Sequence, residues 1–160
     1  MLGIIGGSGL TQLANLEVMG REVVRTPFGE PSGAIIRGRI GHKEVAFIAR
    51  HGYGHTIPPH LVNYRANIWA LAHGAEVDGI VAVASVGGIR ADMGPGALVL
   101  PDQIIDYTSG RKTTFHEGPA SVGKQVVHID FTEPYDAQMR RCLIDAAAKA
   151  GVPLLDGAVY

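Results

Sequence analysis

The sequence has little sulfur chemistry to offer, because its 160 residues include a single cysteine, Cys142. One thiol cannot form an internal disulfide, which excludes the disulfide framework of a small secreted domain. A secretory leader is not visible either, since Met1 leads directly into an apolar run without a basic segment or a cleavage signal. These absences predict a cytoplasmic protein.

The sequence also has almost no excess of charge of one sign, and it has no long hydrophobic run. The formal net charge is −1 and the sequence pI is about 6.6, so nothing in the overall charge favours a nucleic acid or a membrane surface as a partner. The longest nearly apolar run, residues 79–89, is well below the roughly 18 residues that a membrane-spanning helix needs. A small-molecule ligand is therefore the favoured partner, with no nucleic acid and no membrane.

Glycine, by contrast, is abundant. The chain contains 22 glycines, about twice the average frequency. Glycine permits positive φ angles and close approach of the backbone to a ligand. The composition therefore suits an architecture whose ligand is held by loops.

Apolar runs rich in β-branched residues predict the strands. Residues 2–6 and 79–88 each combine such a run with a glycine-rich end, which is typical of strands buried on both faces. The runs on either side of Gly41 and His42 predict a hairpin, and residues 21–31 predict a strand followed by a turn. Further strands are expected in residues 96–108 and 152–160, and a long loop between residues 108 and 122.

Two segments have the pattern of helices. In residues 60–74 the apolar positions at helical spacing are Leu61, Tyr64, Ile68 and Leu71. Residues 133–151 are rich in alanine and end at Gly151, a suitable cap, while Glu133 and Asp136 favour the start of this helix. The aromatic residues Tyr64, Trp69 and Phe131 are assigned to the core or to an interface.

Strands that alternate with helices predict an α/β fold with a mixed central β-sheet flanked by helices. Residues 1–160 are interpreted as a single domain, because this length is close to the commonest domain size of roughly 100 to 150 residues. The chain ends at Tyr160 within a predicted strand, and the carboxyl-terminal part of the domain is expected to be absent.

Two glycine-containing segments follow the predicted buried strands. In GGSG, residues 6–9, successive backbone N–H groups can point into one concavity and Ser8 adds a hydroxyl, which suits a phosphate-sized anion. The segment lacks the lysine of a P-loop and the spacing of a dinucleotide motif. ASVGG, residues 84–88, offers a second wall of the same pocket. For the first segment, a tight turn without a ligand is an equally simple explanation, and for the second, close packing of the turn on a helix is the simpler one.

The segment RHGYGHTIPPH, residues 50–60, contributes positive charge. Arg50 offers a planar fork of donors suited to phosphate, and His51 is placed to donate to the same anion or to transfer a proton. His55 and His60 are more simply explained as solvated loop residues. A metal site is disfavoured, because glycines and prolines prevent the helix that would align the histidines and no cysteine or clustered carboxylate completes a ligand set.

Residues 128–136, HIDFTEPYD, place His128 near three acidic side chains. Paired carboxylates for acid/base chemistry are one interpretation. Capping of the following helix is the simpler one for Glu133 and Asp136.

Three long segments, in this order, resemble the purine nucleoside phosphorylases and methylthioadenosine phosphorylases of the trimeric branch: IIGGSGL, ARHGYGHTIPPHLVNYRANIWAL and VASVGGIRADMGPGALVLPDQIIDYT. Further segments, among them IDYTSGRKTTF, are most similar to the bacterial S-methyl-5'-thioinosine phosphorylases. The resemblance implies a phosphorylase/hydrolase-like α/β fold, a homotrimer, and catalysis with no metal and no cofactor.

The same resemblance implies a reaction and its ligands, a purine nucleoside and inorganic phosphate. Phosphate attacks the anomeric carbon of a 5'-methylthio purine nucleoside and releases the free base and 5-methylthioribose 1-phosphate, a pentosyltransferase reaction of purine and methylthio salvage. Two alternatives stay open: a general purine nucleoside phosphorylase acting on inosine or guanosine, and a non-catalytic phosphate- or nucleoside-binding fragment. In the family, the residues that recognise the base lie beyond position 160, so these 160 residues alone are expected to be inactive or poorly folded.

Site residues are implied position by position. Ser8 matches the family's phosphate-binding Ser/Thr, Arg50 and His51 its phosphate-binding pair, and Ala84 with Ser85 its second phosphate strand. Because Ala84 lacks the side-chain donor of some relatives, its backbone amide and Ser85 would make that contact.

His128 matches a histidine that in the family lies near the 5'-alkylthio group, in a pocket that a neighbouring subunit helps to complete. His55 is a candidate for an indirect role beside the ligating residues. No residue is assigned as a nucleophile, because the implied reaction depends on positioning and electrostatics.

Overall fold

The computed structural model of the chain describes residues 1–10, 12–116 and 127–160. Contacts within the chain group into two compact units: Met1–Ser85 with Arg111–Phe115, and Val86–Gly110 with His116–Tyr160. The single domain expected over residues 1–160 stays a prediction. The loop expected over residues 108–122 lies partly outside the described residues.

The first unit contains a five-stranded sheet. Its strands are β1 (Leu2–Gly6), β2 (Glu17–Glu22), β3 (Ile35–Ile40), β4 (Lys43–Ala49) and β5 (Gly79–Ala82). The order is β2-β3-β4-β1-β5, with β1 parallel to both β4 and β5 and the other pairs antiparallel. The sheet is therefore mixed, which confirms the predicted α/β class.

The hairpin predicted around Gly41 is present, since β3 and β4 pair in antiparallel register from Ile40↔Lys43 onwards. The strand expected in residues 21–25 lies earlier in the chain. It is β2, Glu17–Glu22, whose pairing with β3 ends at Glu22. Val23 is consequently exposed.

The helix predicted over residues 60–74 is divided into a 3-10 turn (Pro59–Leu61), the helix α1 (Tyr64–Trp69) and a π-helical turn (Ala70–Gly74). The Asn63 side chain caps α1 by accepting from the Ala66 N–H at 3.1 Å.

The buried face predicted for this segment is wrong at two positions, because Leu61 and Ile68 are exposed. Leu61 belongs to the separate 3-10 turn that starts at the prolines, and the helix capped by Asn63 buries Ala66 and Asn67 instead of Ile68. The predicted Leu71 is buried, and so are four residues that were not predicted: Val62, Ala66, Asn67 and Ala70.

Strand β4 is buried on both faces. Ala46 and Ile48 belong to a core cluster that includes Leu71, whereas Phe47 and Ala49 belong to a second cluster with Ile36. This alternation follows from the two-residue period of a strand. The carboxyl end of β4 is thus fixed firmly, and Arg50 follows it directly.

In the second unit, the helix α2 (Ala137–Ala150) packs beside a parallel pair of short strands, β6 (Val99–Leu100) and β7 (Leu155–Asp156). Arg140 of α2 donates to the carbonyls of Leu100 and Pro101, at 3.3 Å and 2.5 Å, and pairs with Asp156. The strands predicted in residues 96–108 and 152–160 are thus present but only two residues long, and one isolated bridge, Gln103↔Val159, lies beyond them.

The caps of α2 confirm part of the prediction. Asp136 accepts from the Met139 N–H at 2.6 Å, and Gly151 adopts φ 65°. Glu133 precedes this cap by three residues, so its predicted capping role is wrong: the chain enters the helix at Asp136. Phe131 is exposed, which excludes the core and leaves the interface as its predicted place.

Among the described residues, no helix has both the length and the apolar character required to cross a bilayer.

Candidate active site

Three strands of the first unit end at one edge of the sheet, because β1 runs parallel to both of its neighbours. Gly6, the last residue of β1, pairs with Ala49, the last residue of β4, and Ile5 pairs with Ala82 at the end of β5. The segments after these strands include the residues that the sequence analysis selected. In open α/β sheets, ligands bind at such carboxyl ends.

Arg50 spans two of these strand ends. Its backbone N–H donates to the Gly6 carbonyl at 2.8 Å, and its Nη1 lies 3.4 Å from the Val83 carbonyl oxygen. A Cβ atom added to Gly7 would lie 2.3 Å from Nη2 of Arg50 and 2.7 Å from the same Val83 oxygen. The guanidinium therefore occupies the space that a side chain at position 7 would need.

The two glycine-containing segments contact each other directly. The Ser85 hydroxyl donates to the Ser8 carbonyl at 3.1 Å, and the Val83 N–H donates to the Ile5 carbonyl at 2.9 Å. Ala84 lies between these two contacts and is half-buried. The structure thus brings Ser8, Ser85 and, through Val83, Arg50 to one edge of the sheet.

His51 is buried beside Arg50, with 7% of its surface exposed. Its Nδ1 lies 2.8 Å from the Ile57 carbonyl oxygen, and the Ile57 N–H donates to the His51 carbonyl at 3.0 Å. Because a carbonyl only accepts, Nδ1 carries a hydrogen. The Nε–H of Arg50 points to Nε2 of His51 at 3.5 Å, and a nitrogen that accepts carries no hydrogen. The geometry therefore corresponds to the neutral Nδ1–H tautomer.

His55 packs on His51. The two ring centroids are 4.9 Å apart with an interplanar angle of 53°, and the His55 backbone has φ 51°. The His55 side chain itself is exposed, as is His60 in the following 3-10 turn. The structure therefore places His55 against a residue that contacts Arg50.

Tyr53 anchors the same loop from the other side. Its hydroxyl donates to the Ala34 carbonyl at 2.5 Å, just before β3. Burial raises the pKa of Tyr53 to about 12, with a smaller opposing effect from the charge of Arg21. Sequence reasoning missed this anchor, because the contact joins residues 19 positions apart.

Asn67 of α1 holds the segment before β3 through Ser32, and sequence reasoning missed this contact too. Its side chain is 1% exposed; Oδ1 accepts from the Ser32 N–H at 2.7 Å and Nδ2 donates to the Ser32 hydroxyl at 2.9 Å. The Ser32 carbonyl oxygen would lie 3.5 Å from a Cβ on Gly52. A polar residue on the buried face of a helix was the only sequence signal for this contact.

In the second unit, Gly88 of the ASVGG segment makes a close approach to Met93, whose carbonyl oxygen would lie 2.0 Å from an added Cβ. A tight turn therefore explains this glycine. His128 is exposed and belongs to the same unit. Its contact with substrate stays a prediction.

No group of three or more His, Cys, Asp or Glu side chains suited to a metal ion occurs in residues 1–10, 12–116 and 127–160. Catalysis without a metal or cofactor remains an expectation from the resemblance.

Comparison with known families decides the relationship. The model of the Phosphorylase superfamily matches residues 1–160, the whole chain. The chain belongs to the phosphorylase superfamily. This confirms, at the level of the family, the resemblance carried by the three motifs.

Similar members of the superfamily include the probable S-methyl-5'-thioinosine phosphorylase of Pseudomonas syringae pv. tomato, 48% identical over 157 residues, which are 98% of this chain and 62% of that protein. The 6-oxopurine nucleoside phosphorylase of Pyrococcus furiosus is 47% identical, with 95% of this chain and 57% of that protein covered.

Among solved structures, the methylthioadenosine phosphorylase from Schistosoma mansoni in complex with adenine superposes with a TM-score of 0.89 at 35% identity. The superposition covers 99% of this chain and 63% of that one. The chain therefore has the phosphorylase α/β fold and spans about three fifths of the length of these relatives.

Proposed function

We propose that the chain supplies the phosphate-binding part of a nucleoside phosphorylase acting on S-methyl-5'-thioinosine or S-methyl-5'-thioadenosine. The observation that carries the proposal is the position of the Arg50 guanidinium between residue 7 and the Val83 carbonyl, at the edge where three parallel strands end. The family match and the names of the relatives support the reaction class.

Phosphate is held in this proposal by donors from all three strand ends. Arg50 offers a charged fork of N–H groups, Ser8 a hydroxyl together with the backbone N–H groups of its loop, and Ala84 a backbone amide. The Ser85 hydroxyl donates to the Ser8 carbonyl in this structure and would have to turn from it to donate to phosphate. Each type of donor suits phosphate, which the protein has to hold in position but does not have to activate with a nucleophile of its own. The site requires no nucleophile from the protein.

The chemistry proceeds at the anomeric carbon of the sugar. The bond from C1' to the purine nitrogen breaks, its electron pair leaves with the base, and a phosphate oxygen forms the new bond to C1'. The sugar is cationic between these events, so an anion fixed beneath it stabilises the separated charges. Arg50 contributes by fixing that anion.

His51 contributes in the proposal by holding Arg50. In the tautomer found here, Nε2 accepts from Arg50 and does not present a hydrogen to an anion. Direct donation from Nε2 to phosphate while Nδ1 stays bound to Ile57 requires the imidazolium, which carries a hydrogen on both ring nitrogens. His128 is proposed to contact the 5'-alkylthio group of the substrate.

A general purine nucleoside phosphorylase acting on inosine or guanosine is the second candidate. The observation in its favour is the 47% identity to the 6-oxopurine nucleoside phosphorylase of Pyrococcus furiosus. Homotrimeric assembly and independence of metals and cofactors are further parts of the main proposal, and they rest on the resemblance. A cytoplasmic location is also proposed, and it rests on the single cysteine and the lack of a visible secretory leader in the sequence.

The test is an assay for free purine, run on this chain and on the longest reading frame that contains it. Each is incubated with methylthioinosine, methylthioadenosine or inosine, with and without inorganic phosphate, and the base is quantified by chromatography. Phosphate-dependent release that is fastest from a methylthio nucleoside supports the main proposal, and fastest release from inosine supports the second candidate. If neither protein releases base although both bind phosphate, the non-catalytic alternative holds.

A further inference from the structure

We propose that His55 is a positioning residue, which keeps Arg50 in its phosphate-binding orientation through the ring of His51. The inference deepens the proposed function and rests on its phosphate site. It assigns a role to a side chain that the sequence analysis interpreted either as a solvated loop residue or as a candidate for an indirect role.

The backbone of His55 is the first observation. Its φ of 51° lies in the left-handed region, which is uncommon for a residue with a side chain and costs on the order of 1 kcal/mol or more. Gly52, three residues earlier, adopts φ 73° without such a cost. His55 is exposed, so burial of its side chain in the core does not compensate the strain.

The ring of His55 supplies the second observation. It packs on the ring of His51 at a centroid distance of 4.9 Å. The His51 ring is already held at Nδ1 by its hydrogen bond to the Ile57 carbonyl, and the Ile57 N–H holds the His51 backbone. The neighbouring ring, tilted by 53°, limits rotation of the His51 imidazole about that bond, and this rotation decides where Nε2 points.

The last step links His51 to Arg50. Nε2 of His51 accepts from the Arg50 Nε–H at 3.5 Å, a long contact that a small ring rotation would break. The guanidinium would then be held in place mainly by Nη1 at the Val83 carbonyl, at 3.4 Å. His55 therefore acts on the anion site without touching the anion.

Three variants separate this role from its alternatives. His55→Asn keeps a residue that tolerates the left-handed backbone but removes the ring, and His55→Phe keeps a ring but removes both nitrogens. His60→Asn is the matched control, because His60 is an exposed histidine of the same segment. Urea unfolding of each variant shows whether it is folded under the conditions of binding.

The readouts are the Kd of inorganic phosphate, from titration calorimetry, and the NMR signal of the Arg50 Nε–H. We expect His55→Asn to weaken phosphate binding about three- to tenfold, the size of one ordinary polar contact. Its Arg50 signal should shift towards that of a solvated guanidinium. His55→Phe and His60→Asn should both match the wild type.

The outcomes distinguish this inference from the proposed function. Unchanged phosphate affinity and an unchanged Arg50 signal in folded His55→Asn would overturn the role of His55 and leave the phosphate site intact. Equal weakening by folded His55→Phe would also overturn it, because the ring would then not be the cause. A wild-type chain that binds no phosphate would overturn both proposals.

Discussion

The guanidinium of Arg50 packs so closely on the backbone of Gly7 that no side chain fits there, since a Cβ at position 7 would lie 2.3 Å from Nη2. The glycine is therefore required by the arginine beside it, whereas the positive φ of this turn belongs to Gly9. This relationship joins two motifs that are more than forty residues apart in the sequence.

Replacement of this glycine should disturb both anion binding and folding, because the added carbon would also lie 2.7 Å from the Val83 carbonyl oxygen. We expect Gly7→Ala to weaken phosphate binding about tenfold or more, because Arg50 must leave its position and with it a charged hydrogen bond to the anion is lost. Titration calorimetry with inorganic phosphate measures the effect. Gly20→Ala is the control, since no atom lies within 4 Å of a Cβ there. Equal affinity of the two variants would contradict the view that Arg50 excludes a side chain at position 7.

The hydroxyl of Tyr53 should make stability depend on alkaline pH. Its pKa is raised to about 12 in the folded chain from the ordinary value of 10. A raised pKa in the folded state means that the stabilisation is fully present below pH 10 and is lost as the pH rises through 12. Urea unfolding between pH 8 and pH 12 should therefore show a declining free energy of unfolding.

Tyr53→Phe is the variant that isolates this effect. It should cost about 1 kcal/mol near neutral pH, since the Ala34 carbonyl loses its donor. It should also flatten the decline above pH 10. A variant whose alkaline decline equals that of the wild type would show that another group is responsible.

Asn67 should matter more for stability than its polar character suggests. Asn67→Ala removes two hydrogen bonds to Ser32 and leaves space in a buried position, so we expect a loss of about 2 to 4 kcal/mol in chemical unfolding. Ser32→Ala keeps the bond from the Ser32 N–H and should cost about half as much. A loss below 1 kcal/mol for Asn67→Ala would refute the view that this side chain supports the loop.

The two acidic residues near the start of α2 offer a direct comparison. Asp136→Ala should cost about 0.5 to 2 kcal/mol, because the Met139 N–H loses its cap. Glu133→Ala should change the free energy of unfolding by less than about 0.5 kcal/mol. Thermal or urea unfolding measures both effects. A larger loss of stability for Glu133→Ala than for Asp136→Ala would contradict the assignment of Asp136 as the cap.

Much of the candidate site could be predicted from the sequence. Apolar strands are visible as continuous runs of β-branched residues, and parallel strands end at the same edge of a sheet. The prediction that the run in residues 79–88 is buried on both faces is wrong, because β5 ends at Ala82 and is only half-buried. Ser8, Arg50 and Ser85 each follow such a run, so their proximity followed from the pattern once the strands were recognised.

The contacts that shape the site were harder to predict, because each depends on distant backbone. The Tyr53 hydroxyl meets a carbonyl before β3, and the Asn67 amide meets Ser32, 35 positions away. The buried face of residues 60–74 was mispredicted for a local reason, since the prolines place Leu61 in a separate turn and the Asn63 cap sets a helical register that hydrophobic spacing does not reveal. Hydrophobicity indicates strands well but not the polar bonds between loops.

The most direct test of the account is a titration of inorganic phosphate into the wild-type chain and into the variants Arg50→Ala and Arg39→Ala. Arg39 is the matched control, because it is an exposed arginine on β3 that pairs with Glu44 at 3.3 Å. The account predicts that the wild type and Arg39→Ala bind phosphate equally, and that Arg50→Ala binds it at least about tenfold more weakly. Equal binding by all three proteins, or no binding by a wild-type chain that urea unfolding shows to be folded, would contradict it.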